Sequence, residues 1–208
     1  MIQVDDSGWG SLLGGVYIAV YDTVEEKMHT GLIPVSFFQG ENFETGKYLD
    51  KALSIASAGI QKFTGYPTDN GIDIQICRGY ALSKVRDWAE RNSSHISKIE
   101  YTEIGDPFQS LLETKLSKHL EKIGVPEGKG KGAHRISFDA MLDWVKEDFR
   151  RVKYVKTGWK SWQNKYGPAC IQEIYEYIEE LSDAPQDRAI EGLLMKDVRK
   201  IEKTLMEE

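Results

Sequence analysis

Two adjacent carboxylates, Asp5 and Asp6, stand at the end of a short apolar run (Ile2, Val4) and just before a turn of small residues, Ser7, Gly8 and Gly10. A strand that ends in acid and turns back through glycine sets its carboxylates on a rigid edge, where the backbone can come close to a ligand. Hard cations such as Mg2+ and Mn2+ take oxygen ligands, and a site for one often begins this way. The same residues also make ordinary turns, because Asp bonds its own backbone and Gly supplies positive φ.

Further acids lie along the chain. Asp106 precedes Pro107 and Phe108, the pattern of a helix cap with proline in the first turn. Glu103 stands three residues before it. Asp139 and Asp143 are four apart and so share a helix face, with His134 about one turn earlier. Like charges at that spacing repel, which a bound cation, the nearby Lys146 or exposure to water would each relieve.

The segment Arg150–Tyr166 interleaves bases with aromatic rings. Lys153, Lys156 and Lys160 alternate with Tyr154, Trp159, Trp162 and Tyr166. Cations with stacking rings suit a phosphate backbone and splayed bases, which makes Lys153, Lys156, Trp159, Lys160 and Trp162 candidate nucleic-acid contacts. The alternative is a lysine-covered face over a packed aromatic cluster. The loop Lys129-Gly130-Lys131-Gly132 lacks the spacing of a P-loop and reads as a connector.

Elements must position these groups. Alternating apolar residues predict a first strand over about 1–6 and a second over about 15–22, and a third is expected over about 29–38, interrupted by Pro34. A helix is expected over about 45–63, a fourth strand over 72–77, a helix over about 81–91, a fifth strand over about 97–104 and a helix opening at Asp106-Pro107. The last carries the stripe Phe108, Leu112, Leu116, Leu120 and Ile123. Helices over about 136–149, 168–181 and 187–206 follow. Three leading strands can form an antiparallel meander, whereas strands joined through helices should run parallel.

Length and composition bound the answer. A chain of 208 residues carries one sizeable core or a core with an appendage. No apolar run reaches the roughly 18 residues of a membrane span. No basic start leads into an apolar stretch, so no signal peptide is expected. Cys77 and Cys170 are isolated, which excludes a CxxC zinc site and a disulfide framework and points to a reducing compartment, the cytoplasm. A net charge of −6 argues against a general nucleic-acid coat, yet seven bases and two acids lie between Trp144 and Tyr166.

The element order and the stretch Val4-Asp5-Asp6-Ser7-Gly8-Trp9-Gly10, followed by Leu13-Gly14-Gly15-Val16, resemble the ribonuclease H-like superfamily. The first strand is most similar to type 2 ribonuclease H, which opens with Asp-Glu-Ala-Gly-Arg-Gly. The resemblance implies an α/β fold. A ribonuclease H-like mixed five-stranded sheet flanked by helices would occupy residues 1–125, with a helical C-terminal extension over 126–208 packed on it. It also implies a nuclease that hydrolyses DNA or RNA with two Mg2+ or Mn2+ ions about 4 Å apart. Asp5 would be the principal ligand and Asp6 the second acid. Resolvases of this fold carry paired acids on a late helix, which favours Asp139 and Asp143; Asp106 is a further candidate. Two departures stand out. Trp9 replaces an arginine that touches the substrate backbone in the family, and Ile76–Tyr80 lacks the carboxylate expected after strand four. A catalytically silent binding or scaffold protein on the same fold is therefore the alternative. A phosphotransfer enzyme of the actin-like type also ends strand one in Asp and glycine, but this chain is short for its two lobes.

Overall fold

The computed structural model describes residues 1–65, 71–126 and 136–170, with isolated tail positions 174–176, 178, 192, 195–196 and 198–199. His134, the Lys129–Gly132 loop and most of the two expected tail helices lie outside the described residues.

Five strands form one mixed sheet in the order β3-β2-β1-β4-β5. They are β1 (Ile2–Ser7), β2 (Val16–Asp22), β3 (Lys27–Ile33), β4 (Asp73–Cys77) and β5 (Lys98–Thr102). β1, β2 and β3 pair antiparallel, as short connections permit. β4 pairs parallel to β1, and β5 parallel to β4. The third strand is shorter than its apolar run suggested. Proline cannot donate to a ladder, and at Pro34 the chain leaves the sheet for a 3-10 turn, Val35–Phe38, that buries Phe38.

Alternation within β1 and β2 sends Val4, Ile18 and Val20 to one face, under α2 (Lys47–Thr64) and α3 (Ser83–Arg91). The α2 stripe of Tyr48, Ala52, Ile55, Ala56 and Ile60 covers them, at the i, i+4 spacing of one helix face. Gly59 lets α2 lie close to the sheet: a Cβ there would meet Val20 and the His29 ring within 2.8 Å. The opposite face holds Ala19 and Tyr21 beneath α4 (Phe108–Lys122), where Tyr21 stacks on Phe108 at 5.3 Å.

A second apolar cluster joins the β1–β2 connection to the later chain. Leu12 and Leu13 pack with Leu120, with Met141, Trp144 and Val145 of α5 (Phe138–Lys146), and with Val152, Val155 and Trp162. Backbone bonds reinforce this seam: Gly14 N–H to Tyr154 O at 2.8 Å, and Lys156 N–H to Leu12 O at 3.0 Å. Residues 136–166 are thereby fixed against the turn that follows Asp6. A preceding short helix, α1 (Gly40–Glu44), sits beside this seam: Gly158 lies so near Phe43 that a Cβ would come within 2.6 Å of its ring.

Candidate site at the end of the central strand

β1 delivers Asp5 and Asp6 to its C-terminal end, between β2 and β4. Asp5 stands opposite Ala19 and Asp6 opposite Ile18, so the two carboxylates leave opposite faces of the sheet. Asp5 is 7% exposed. It accepts the Asp6 N–H at 2.8 Å and shares a hydrogen bond with the Cys77 thiol at the end of β4. Burial raises its pKa against those two bonds, and Glu113 of α4 adds to the rise. Burial also pushes the Cys77 thiol up to about 11, so Cys77 stays protonated beside Asp5.

Asp6 meets different partners. Burial, then the charge of Asp5, pushes it up to about 7, while Lys156 and Arg86 pull it down. Its Oδ1 lies against the backbone that leaves β4, where a Cβ on Gly79 would come within 2.6 Å of it. Arg86 of α3 holds that exit by donating to Cys77 O at 2.9 Å and Gly79 O at 2.8 Å.

Lys156 is fully buried. Its ammonium donates to Ser11 O at 2.8 Å and to Gly8 O, and it sits 4.9 Å from the Trp159 ring centre and 5.5 Å from that of Phe38. Burial lowers it to about 7 against the attraction of Asp6. Trp9, which with Gly10 separates these carbonyls, turns into a cluster with Tyr80, Tyr48, Trp159 and Phe38 at 5.6–6.2 Å. A cavity of about 370 Å3 opens beside Asp6, between the 7–11 turn and α4.

The remaining sequence candidates are placed elsewhere. Asp106 is exposed and caps the start of α4, accepting the Ser110 N–H at 3.1 Å and its hydroxyl at 2.5 Å. Glu103, Asp139 and Asp143 are exposed, and α5 is capped by Ser137 rather than by an acid. In the basic–aromatic segment, Lys153 and Lys160 are exposed and Trp159 is half-buried, whereas Lys156 and Trp162 are 0% exposed. Those last two are interior residues and do not reach a phosphate. Trp162 belongs to the second core, and Lys156 is occupied by the turn carbonyls.

These residues do not fit a two-metal centre. Among the described residues no three of His, Cys, Asp and Glu converge as a metal-holding group. Asp5 and Asp6 diverge, and the group facing Asp5 from β4 is a protonated thiol, a soft donor poorly matched to Mg2+ or Mn2+. Spacing along the chain missed Cys77, Arg86 and Glu113. Cys77 becomes visible once β4 is set parallel beside β1. Glu113 is visible only as the position next to Leu112 on the α4 stripe. No protein-family model, no curated protein and no solved structure matches the chain.

Proposed function

We propose that this chain is a catalytically silent relative of the ribonuclease H-like nucleases that binds nucleic acid without cleaving it. The observation that carries the reading is the charge arrangement at the end of β1. Lys156 and Arg86 answer Asp6, and the Cys77 thiol bonds Asp5, so the protein itself supplies what two metal ions would otherwise supply. The strand order and the acid pair on the central strand support the fold assignment. Trp9, in the place of a backbone-contacting arginine, turns toward other rings. The exposed Lys160, next to Trp159 in sequence, and the exposed Lys153 over the Tyr154 ring are the cationic and stacking groups left for a strand.

The test is a labelled RNA–DNA hybrid and each single strand, incubated with the protein in Mg2+ or Mn2+ and read on native and denaturing gels. Retarded but intact strands are expected, with binding that weakens as salt rises. Cleavage that disappears in Asp5→Asn would establish the nuclease instead. Absence of retardation at low salt would remove the nucleic-acid partner.

One observation favours the nuclease as second reading: Glu113 of α4 acts on Asp5, so a second carboxylate stands near the strand end on the α4 face. Calorimetric titration of Mn2+ into the wild type and Asp5→Asn separates the two. Equal heats favour the silent protein; heat lost in the variant favours the enzyme.

A further inference from the structure

Among the described residues Tyr80 is the exposed aromatic ring: it is 58% exposed, whereas the rings around it are buried or half-buried. A side chain so exposed is ordinarily free to turn, yet this one is held from two sides. Its ring meets Trp9 at 5.6 Å, and its hydroxyl is hydrogen-bonded with that of Tyr48. Those supports are themselves fixed. Tyr48 is 5% exposed and stacks on Phe43 at 5.4 Å, and Trp9 packs on Trp159 at 5.8 Å. Tyr80 is therefore the outer member of a ring cluster, set in place before anything binds. It follows β4 at the end of the sheet where β1 delivers Asp5 and Asp6.

We infer that Tyr80 is the stacking platform for an unpaired base, so that the nucleic acid bound is a single strand; this rests on the nucleic-acid reading of the chain. A ring already held still loses little freedom when a flat partner covers it, and every base has a face to offer. In a duplex those faces are covered by neighbouring base pairs, so a lone surface ring has only unpaired bases to stack on. Cations for the phosphates stand on both sides in sequence: Arg78, two residues before Tyr80, and Lys160, next to Trp159, are exposed. Asp6, which lies against Gly79, is answered by Lys156 and Arg86 within the protein. A proline-rich peptide, another guest of clustered rings, docks in a groove lined by several accessible rings, whereas this cluster exposes one.

Fluorescence anisotropy of labelled oligothymidine with the whole chain tests it. The same strand in a duplex, and an abasic strand that keeps the phosphates without the bases, serve as the comparisons. The wild type should bind oligothymidine about tenfold tighter than either. Tyr80→Ala should bring oligothymidine down to the level of the abasic strand and leave the abasic strand unchanged. Tyr80→Phe keeps the ring and should bind close to wild type, with thermal unfolding showing that both variants are folded. Equal binding of oligothymidine by the wild type and Tyr80→Ala would overturn the platform and leave the nucleic-acid reading standing. A duplex bound as tightly as the single strand would overturn the choice of a single strand. Absence of binding to every strand, or binding of decaproline in their place, would overturn the platform together with the reading it rests on.

Discussion

The acids at the end of β1 and the acids on α5 look alike in the sequence, but they differ in their access to water. Asp5 is 7% exposed and Asp6 sits beside it, whereas Asp139 and Asp143 are exposed. On α5, solvent screens two carboxylates four residues apart, and nothing need be arranged around them. At the strand end the same charges cost much more, and the chain has built around them. Cys77 bonds Asp5, while Lys156 and Arg86 attract Asp6. A pair of acids is therefore informative when its surroundings have been organised to hold it, and spacing alone does not reveal that.

The largest effect expected from this contrast belongs to Lys156. Lys156→Ala removes the side-chain donor to Ser11 O, leaves Gly8 O with the Ser11 N–H alone, removes a cation from Asp6 and opens a void beside Phe38. The loss should be about 3–5 kcal/mol, the range for breaking one side of a buried charged pair. Lys156→Met fills the volume and should lose less. Lys160→Ala, on the exposed side of the same segment, should stay within about 0.5 kcal/mol. Urea unfolding of the three variants measures this. Similar losses at 156 and 160 would break the comparison.

A smaller effect should appear with pH. In the unfolded chain Asp6 loses its proton near 3.8, but in the folded chain only at about 7. The folded state thus binds the proton more tightly, and between those values stability falls as pH rises. Lys156 behaves oppositely: unfolded, it keeps its proton up to 10.5; folded, it releases it at about 7. Between those values stability rises with pH. The two limbs meet in a minimum of unfolding temperature near neutral pH. Asp6→Asn should flatten the acid limb and stabilise the protein at pH 7 by about 1–2 kcal/mol, since each pKa unit corresponds to about 1.4 kcal/mol and water at the strand end lessens the whole. Asp5, also raised by burial, keeps part of the acid limb. A profile that rises steadily from pH 4 to pH 7 would contradict the burial of this pair.

Local pattern made the scaffold legible. Alternation in Ile2–Asp6 and Val16–Tyr21 gave two strands, and the i, i+4 stripe from Phe108 to Leu120 gave α4. Pro34 was visible, but its effect was underestimated: it ends β3 instead of notching it. The site was half legible. Asp5 and Asp6 stand out because strand, acid and glycine are contiguous. The neighbours Trp159 and Lys160 make Lys156 look like a phosphate contact, whereas its partner Ser11 lies 145 residues away in sequence. No local period encodes a contact of that separation. Trp162 was ambiguous for a related reason, since a stripe of aromatics looks the same whether a core or a ligand covers it. Asp106 reads as a cap in the sequence itself, because Asp before Pro-Phe has a local role that needs no distant partner.

The smallest effects belong to the exposed acids, and their causes differ. Asp106→Ala removes the acceptor for the Ser110 N–H and hydroxyl, and should cost about 1 kcal/mol, as loss of a helix cap does. Asp139 lies in the first turn of α5, where a negative charge faces the positive end of the helix dipole. Asp139→Asn loses that attraction but also the repulsion from Asp143, so its net cost should be under about 0.5 kcal/mol. Asp143 lies one turn further, beyond the helix's first exposed N–H groups. Asp143→Asn removes the repulsion but also the attraction of Lys146 three residues on, so its net effect should stay within about 0.5 kcal/mol. Thermal unfolding at low salt resolves the order, and added salt should shrink both α5 effects while leaving most of the Asp106 loss. Calorimetry with Mn2+ completes the contrast. If Asp139→Asn or Asp143→Asn abolished a heat that Asp6→Asn preserved, the exposed acids would be the cation site and the buried pair the structural one.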